Sequence, residues 1–249
     1  MKTTVTANII IALVCGECLK SQAQLNILKY EIGVGAGIFV YQGDLTPSRL
    51  GSYKTLKPAC SVSLTKIISP MFSLRSSISL GALKGDDSKY DEPAYRKQRN
   101  LKFSSPIVEI SELLVADLLK NNSPKRYFGF SPFVFTGIGF SFLNIKRDYS
   151  GFNEEYFAGE TRTIEGLNAD AKHTLPKLIP VIPMGIGIKY SITEKISINA
   201  ETTYRLTFTD YIDGFSQAAN AARKDSYQSH TVGIAYRFLT NNSVKCPVF

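Results

Sequence analysis

Tryptophan is absent from this 249-residue chain, histidine occurs twice and cysteine four times. The two histidines, His173 and His230, are far apart and no cysteine–histidine cluster has ligand spacing, so no zinc-type centre is expected. Cys15, Cys18, Cys60 and Cys246 do not form a disulfide framework. No apolar run is long enough to cross a bilayer as a helix, and beyond the first two dozen residues no stretch shows convincing helical periodicity. What the chain has in excess is positive charge, formally +8, and aromatic residues, 15 Phe and 13 Tyr. That combination suits nucleic acid, but only in a protein that stays in the cytoplasm.

The N-terminus argues against that. MKTTVTANIIIALVCGECLKSQAQ has a positive start at Lys2, a short apolar stretch over residues 9–15, and the small-residue pattern Ser21-Gln22-Ala23. This is the layout of a secretory signal, with cleavage expected before Gln24. Neither Cys15 nor Cys18 follows the small residue that a lipoprotein site needs, and the polar residues 16–22 would end a buried helix badly. The reading is a signal peptide over residues 1–23, no nucleic-acid partner, and two remaining cysteines, Cys60 and Cys246, expected to stay unpaired.

The rest of the chain alternates. In YEIGVGAGIFVY, Tyr30, Ile32, Val34, Ala36, Ile38 and Val40 form one set, and Glu31, Gly33, Gly35, Gly37, Phe39 and Tyr41 the other. Side chains of a strand point to opposite faces with period two, so one face is apolar and the other small or polar. The same contrast recurs over residues 59–67, 72–83, 107–118, 127–142, 178–192, 196–209 and 227–238, with Glu112 an imperfection on an apolar face. Most of these eight runs reach the roughly 9–11 residues that a tilted strand needs to cross a bilayer. An even number of strands with apolar-out, polar-in alternation predicts a closed eight-stranded antiparallel transmembrane barrel of OmpA/OmpX-like size over residues 24–238, closure leaving no unpaired edge in lipid. The connections near residues 69–70, 119–125 and 193–195 are short, and those over 44–56, 84–100, 146–177 and 210–226 long and polar. Strict alternation of the two is the pattern of periplasmic turns and extracellular loops. It places the mature N-terminus, and a C-terminal tail of residues 239–249, in the periplasm.

Gly33, Gly35 and Gly37 are not a phosphate loop, which needs G-x-G-x-x-G at a turn entering a helix. They are expected to form a row on the inner face, making room for bulky neighbours such as Phe133 and Phe135. The closing run Gly233-Ile234-Ala235-Tyr236-Arg237-Phe238 resembles the terminal-strand signal of bacterial outer-membrane proteins, with Gly233, Tyr236 and Phe238 as its key positions; the resemblance implies the barrel-assembly machinery as a partner. Glu31, Arg75, Glu109, Lys189, Glu201, Arg205 and Arg237 all fall on inner faces. Buried charges need partners and a barrel this narrow is filled by side chains, so a salt-bridged interior is expected rather than a channel. No spacing among His173, Asp170 and Ser150 points to catalysis, and no enzymatic activity and no cofactor are expected. The loop KGDDSKYDEPAYRKQRN carries both signs of charge, so no specific polyanion site is indicated and a solvated loop is expected, with its basic end, residues 96–102, the part that could meet lipopolysaccharide phosphates.

Several landmarks together resemble a family of small outer-membrane barrels, labelled as a domain of unknown function, that includes PorG of the type IX secretion system. They are Phe39-Val40-Tyr41-Gln42-Gly43-Asp44-Leu45; residues 103–118 with Glu109-Ile110-Ser111, followed by Phe130-Ser131-Pro132-Phe133; Tyr204-Arg205-Leu206-Thr207-Phe208-Thr209-Asp210-Tyr211-Ile212-Asp213-Gly214; and residues 233–238. The resemblance implies a non-enzymatic barrel in outer-membrane lipid that touches a periplasmic ring of PorK and PorN type, with Asn121, Asn122, Lys125, Arg126 and Lys245 as candidate contacts. The alternative is a surface barrel whose loops bind an external ligand or matrix.

Overall fold

The computed structural model of the protein describes residues 30–48, 50–119, 122, 129–219 and 224–238. Residues 1–23, read from the sequence as a signal peptide, and residues 239–249 lie outside them. Among the described residues there are nine strands: β1 (Tyr30–Gln42), β2 (Lys57–Ile67), β3 (Phe72–Asp86), β4 (Lys102–Asp117), β5 (Gly129–Leu143), β6 (Lys146–Asp148), β7 (Leu178–Ser191), β8 (Ile196–Thr207) and β9 (Ser226–Arg237). Eight of them, all but the three-residue β6, form a continuous antiparallel ring in the order β3-β2-β1-β9-β8-β7-β5-β4, with β4 returning to β3. No stave has a free edge. The seam between first and last strands is long, from Glu31 opposite Arg237 to Gln42 opposite Ser226. The expected closed eight-stranded barrel is what forms.

The two periodic faces explain why the sheet closes in this register. Outward positions carry Val34, Ile138, Ile186 and Val232, exposed by 58%, 69%, 66% and 60%. Such a continuous apolar wall, far beyond the scattered patches of a soluble protein, requires hydrocarbon as its solvent. Slipping any strand by one residue would exchange its faces, placing Glu31 or Arg75 in lipid. Glu112 does sit on the outer face, opposite Ser76, whose hydroxyl donates to its carboxylate at 2.6 Å.

At one end the connections are short, residues 68–71, 118–128 and 192–195. At the other lie the long ones. There β3 and β4 continue as a hairpin, Asp86 opposite Lys102, and β6 adds to β4 through Lys102 opposite Asp148. Two helices, α1 (Tyr95–Arg99) and α2 (Thr161–Lys172), belong to the long connections, where the sequence shows no convincing helical periodicity. Their periodicity is hard to read for a physical reason: α1 is a single turn, and α2 has only Ile164, Leu167 and Ala171 as an apolar stripe, interrupted by Gly166.

The interior is layered. At the loop end Phe39, Tyr41, Leu83, Phe103, Ile107 and Tyr227 from the strands pack with Leu45, Leu101, Leu167, Ile212 and Phe215 from the connections. Lower down, Leu113, Val115, Phe133 and Phe135 make a second cluster.

Candidate functional site: the lumen and its loop-end closure

Every charged inner-face position named from the sequence has a partner in the lumen, Glu31 and Arg237 as neighbours on adjacent strands. Arg237 Nε donates to Glu31 Oε1 at 2.6 Å. Arg75 Nη1 donates to Glu201 Oε2 at 2.8 Å, and its guanidinium lies 5.4 Å from the centre of the Phe133 ring. Arg205 Nε donates to Glu109 Oε2 at 2.6 Å, the same oxygen taking the Tyr227 hydroxyl at 2.6 Å. Lys189 Nζ reaches Asn122 Oδ1 at 3.1 Å and Asp117 Oδ2 at 3.9 Å. Asp117, which the alternation puts on the inner face, completes the balance: Glu31, Glu109, Glu201 and Asp117 face Arg75, Lys189, Arg205 and Arg237. Glu109 and Arg205 are almost wholly buried, at 1% and 4% exposure, where ionised side chains are tolerable only as a pair.

Between these pairs, toward the short-turn end, is a cavity of about 50 Å³. Gly33, Gly35, Ser61, Ser63, Ser77 and Asn199 are among its lining residues, and it has room for a few water molecules. This corrects the role given to the glycine row. Phe133 and Phe135 pack instead on Gly187 and Gly185 of β7, where an added Cβ would lie 2.3 and 2.5 Å from the rings. Gly33 and Gly35 face Ser63 and Ser61 and keep the cavity open. Asn122 also differs from its expected place as a partner contact: it is 7% exposed and turned inward to Lys189. Asn121, Lys125, Arg126 and Lys245 lie outside the described residues. In the closing strand, Gly233 faces the lumen opposite Gly35, Tyr236 faces out, and the Tyr236 and Phe238 rings meet edge to face at 5.4 Å. Cys60 is an exposed free thiol on β2.

The loop end is shut by polar contacts as well as apolar ones. Asp87, fully buried, receives Arg96 Nη1 at 2.8 Å and Arg99 Nε at 2.7 Å, while both arginines also donate to the Asp44 carbonyl. Arg96 and Arg99, the start of the basic segment read from the sequence, are thus internal struts. Asp170 of α2 takes the backbone N–H groups of Ser216, Gln217 and Ala218. Arg147 spreads over the Asp170, Ala171, His173 and Gly214 carbonyls, closing the C-terminal end of α2. His173 stacks on Tyr211 at 3.9 Å, and Ser150 donates to Asp148. Asp170 and His173 meet through Tyr211, whose hydroxyl donates to Asp170 Oδ1 at 3.3 Å, while Ser150 is engaged elsewhere, with Asp148. The other histidine, His230, faces outward, bonded to Thr202 and to Tyr53 of the first long connection.

Sequence reasoning missed a knot of aspartates here. The Tyr41 hydroxyl lies 2.6 Å from Asp213 Oδ2 and 2.8 Å from Asp225 Oδ1. One phenolic proton cannot serve both, so the second contact needs a proton on a carboxyl. Burial drives Asp225 up to about 8, with Asp210 and Asp44 adding repulsion, and holds Asp213 well above the carboxylate range, with the Asp225 charge next in effect. Gly43 is required at this point, since its Cβ would fall 1.9 Å from Asp225 Oδ1. The signal was present: Gly43, Asp44, Asp210 and Asp213 all belong to stretches that carry the family resemblance.

Among solved structures, the chain is similar in shape to Ail, the attachment invasion locus protein of Yersinia pestis, solved in complex with the heparin analogue sucrose octasulfate. The identity is 10%, the match covers 84% of this chain and 98% of that one, and the TM-score is 0.45. Neisserial surface protein A matches at 12% identity over 84% and 97%, TM-score 0.44. The outer membrane protein OprG of Pseudomonas aeruginosa matches at 9% over 85% and 97%, TM-score 0.44. At these values nothing about ligand or activity passes from those proteins to this chain. A search among curated proteins finds no match. Residues 6–236 match a family as a whole, and the chain belongs to that family, described as Domain of unknown function (DUF6089).

Proposed function

We propose that this protein is a non-enzymatic outer-membrane barrel that anchors a periplasmic secretion ring of PorK and PorN type to the outer membrane, as an accessory of type IX secretion. The observation that carries the reading is the filled lumen. A barrel whose interior is occupied by four ion pairs and two apolar clusters offers its ends and wall, not a conduit, for function. The resemblance of its landmark segments to PorG-like barrels supports the choice of partner. In this reading the long connections face outward, and the short connections face the ring. A pull-down of the tagged full chain from outer membranes is expected to bring down ring proteins, and deletion of residues 239–249 to weaken that capture. Loss of the gene is expected to abolish secretion of cargo. Capture of no ring protein by either form, with secretion intact, overturns the reading.

A second reading is favoured by one observation. The loop end is tied down by Asp87, Arg96, Arg99, Arg147 and Asp170, and a rigid outward platform suits recognition of an external ligand or matrix. Retained secretion with lost attachment in the deletion strain selects it.

A further inference from the structure

The outer wall at the loop end is not uniform. Reading up β3, β4 and the β5–β6 segment, successive outward rows are Ile78, Ile110 and Phe140; Leu80, Val108 and Phe142; Ala82, Pro106 and Asn144; and Lys84, Ser104 and Lys146. Lys102 stands one step above, between Asp86 and Asp148. The lowest two rows are open to hydrocarbon, with exposures from 37% to 49%. The chemistry thus passes from acyl-chain wall through a neutral row to three lysines. With neighbouring strands about 4.8 Å apart, Lys84 and Lys146 flank Ser104 at a separation of about 10 Å.

No salt bridge or side-chain hydrogen bond engages Lys84, Lys102 or Lys146 among the described residues. Of the two carboxylates beside Lys102, Asp86 Oδ1 takes the Ser88 N–H and hydroxyl, and Asp148 Oδ1 takes those of Ser150, with the Lys102 charge a lesser stabilising influence on Asp148. The placement is confined to this sector. The outward positions of β1, β5, β7, β8 and β9 carry no lysine or arginine, and on β2 the outward lysine is Lys66, at the short-turn end. On the opposite sector the same height is neutral, with Gln228, His230 and Thr202, and Tyr53 folded over them.

We infer that Lys84, Lys102 and Lys146 form a binding site for the phosphorylated headgroup of an outer-leaflet glycolipid of lipid A type, whose acyl chains lie on the Ile78–Phe142 wall. Three lysines without a salt bridge among the described residues, directly above an acyl-chain surface, fit a headgroup bearing more than one phosphate, and a lysine near an anionic lipid surface is a favourable point charge. The inference rests on the outer-membrane reading, with the long connections outward, but not on any ring partner.

The test uses the purified full-length mature barrel in detergent, with bisphosphorylated lipid A and its dephosphorylated counterpart as probes and native mass spectrometry as the readout. The wild type is expected to retain the phosphorylated lipid and to discriminate against the dephosphorylated one. Replacing Lys84, Lys102 and Lys146 together by Gln is expected to lower that retention roughly tenfold or more at low salt. Replacing all three by Arg is expected to preserve it, as is Lys66→Gln. Heat-modifiable migration on gels shows that each variant is folded. Equal retention of the two lipids by the wild type, or undiminished retention by the Gln variant, overturns the site. Fractionation of the wild-type protein away from the outer membrane overturns the localisation, and the site with it.

Discussion

At the scale of single residues, position in the barrel decides what a charge can do. Glu109 and Arg205 are almost wholly buried; the Tyr227 hydroxyl donates to Glu109 Oε2, and Arg205 Nη1 donates to Ser229 Oγ and to the Thr203 carbonyl. Glu109→Gln leaves the guanidinium buried without a counter-charge, a loss of about 3–5 kcal/mol for this kind of broken pair. Urea unfolding of the barrel in vesicles is expected to show it, with a smaller loss in Glu109→Gln/Arg205→Gln, where neither charge remains; equal losses would mean that the pair is not coupled. The aspartate knot gives the opposite sign from an ordinary salt-bridged acid. Asp225 is raised from 3.8 to about 8, so between those values the folded protein holds a proton that the unfolded chain has lost. Stability is then fully present below about 4 and falls as pH rises toward 8, with a slope of at most about 1.4 kcal/mol per pH unit for one proton. Asp225→Asn, which carries no titrating group, is expected to flatten the dependence of thermal stability on pH between 5 and 8. An unchanged slope would place the proton elsewhere.

At the scale of elements, the staves and the connections follow different physics, and this sets how much the sequence reveals. A stave repeats one rule, apolar out and small or polar in, over 11 to 16 residues, so its existence, its faces and its inward charges can be read from alternation. The bounds shift where the rule stops mattering: β3 and β4 continue beyond the lipid wall to Asp86 and Lys102 because they pair with each other, not because either sequence alternates more strongly. The connections obey no period. Helix α2 exists because Asp170 collects three N–H groups and Gly166 allows the 217–218 backbone against the helix, an added Cβ lying 2.4 Å from the Gln217 carbonyl oxygen. Gly166→Val is therefore expected to lift α2 from its seat and open residues 144–177 and 208–225 to proteolysis, while the barrel keeps its heat-modifiable migration. Protection equal to wild type would show that α2 is held by something else. The segments that carry the aspartate knot stand out in the sequence, but their meeting does not, for the same reason. Tyr41, Asp213 and Asp225 are separated by up to 184 residues along the chain and meet only when the ring closes β1 onto β9.

For the whole molecule, the question is whether a closed ring of strands is also an open pore. Two barriers lie in series along the axis. At the loop end the aromatic layer of Phe39, Tyr41, Phe103 and Tyr227 is capped by Leu45, Ile212 and Phe215. Below it the Arg75–Glu201 pair spans the lumen beside Phe133 and Phe135. The cavity of about 50 Å³ toward the other end has room for a few waters between them and the short turns. An ion entering from the short-turn side would meet four fixed cations balanced by four fixed anions and then an apolar seal, which gives it no hydrated way onward. The wild-type barrel reconstituted in planar bilayers is thus expected to carry no stepwise current across the range of voltages that the bilayer withstands. Weakening only the lower barrier, as in Glu201→Gln, is expected to leave the bilayer silent, because the loop-end seal remains. Stepwise openings in the wild type would mean that the loop-end layer moves aside, and a protein that opens in this way would act as a conduit and not as an anchor.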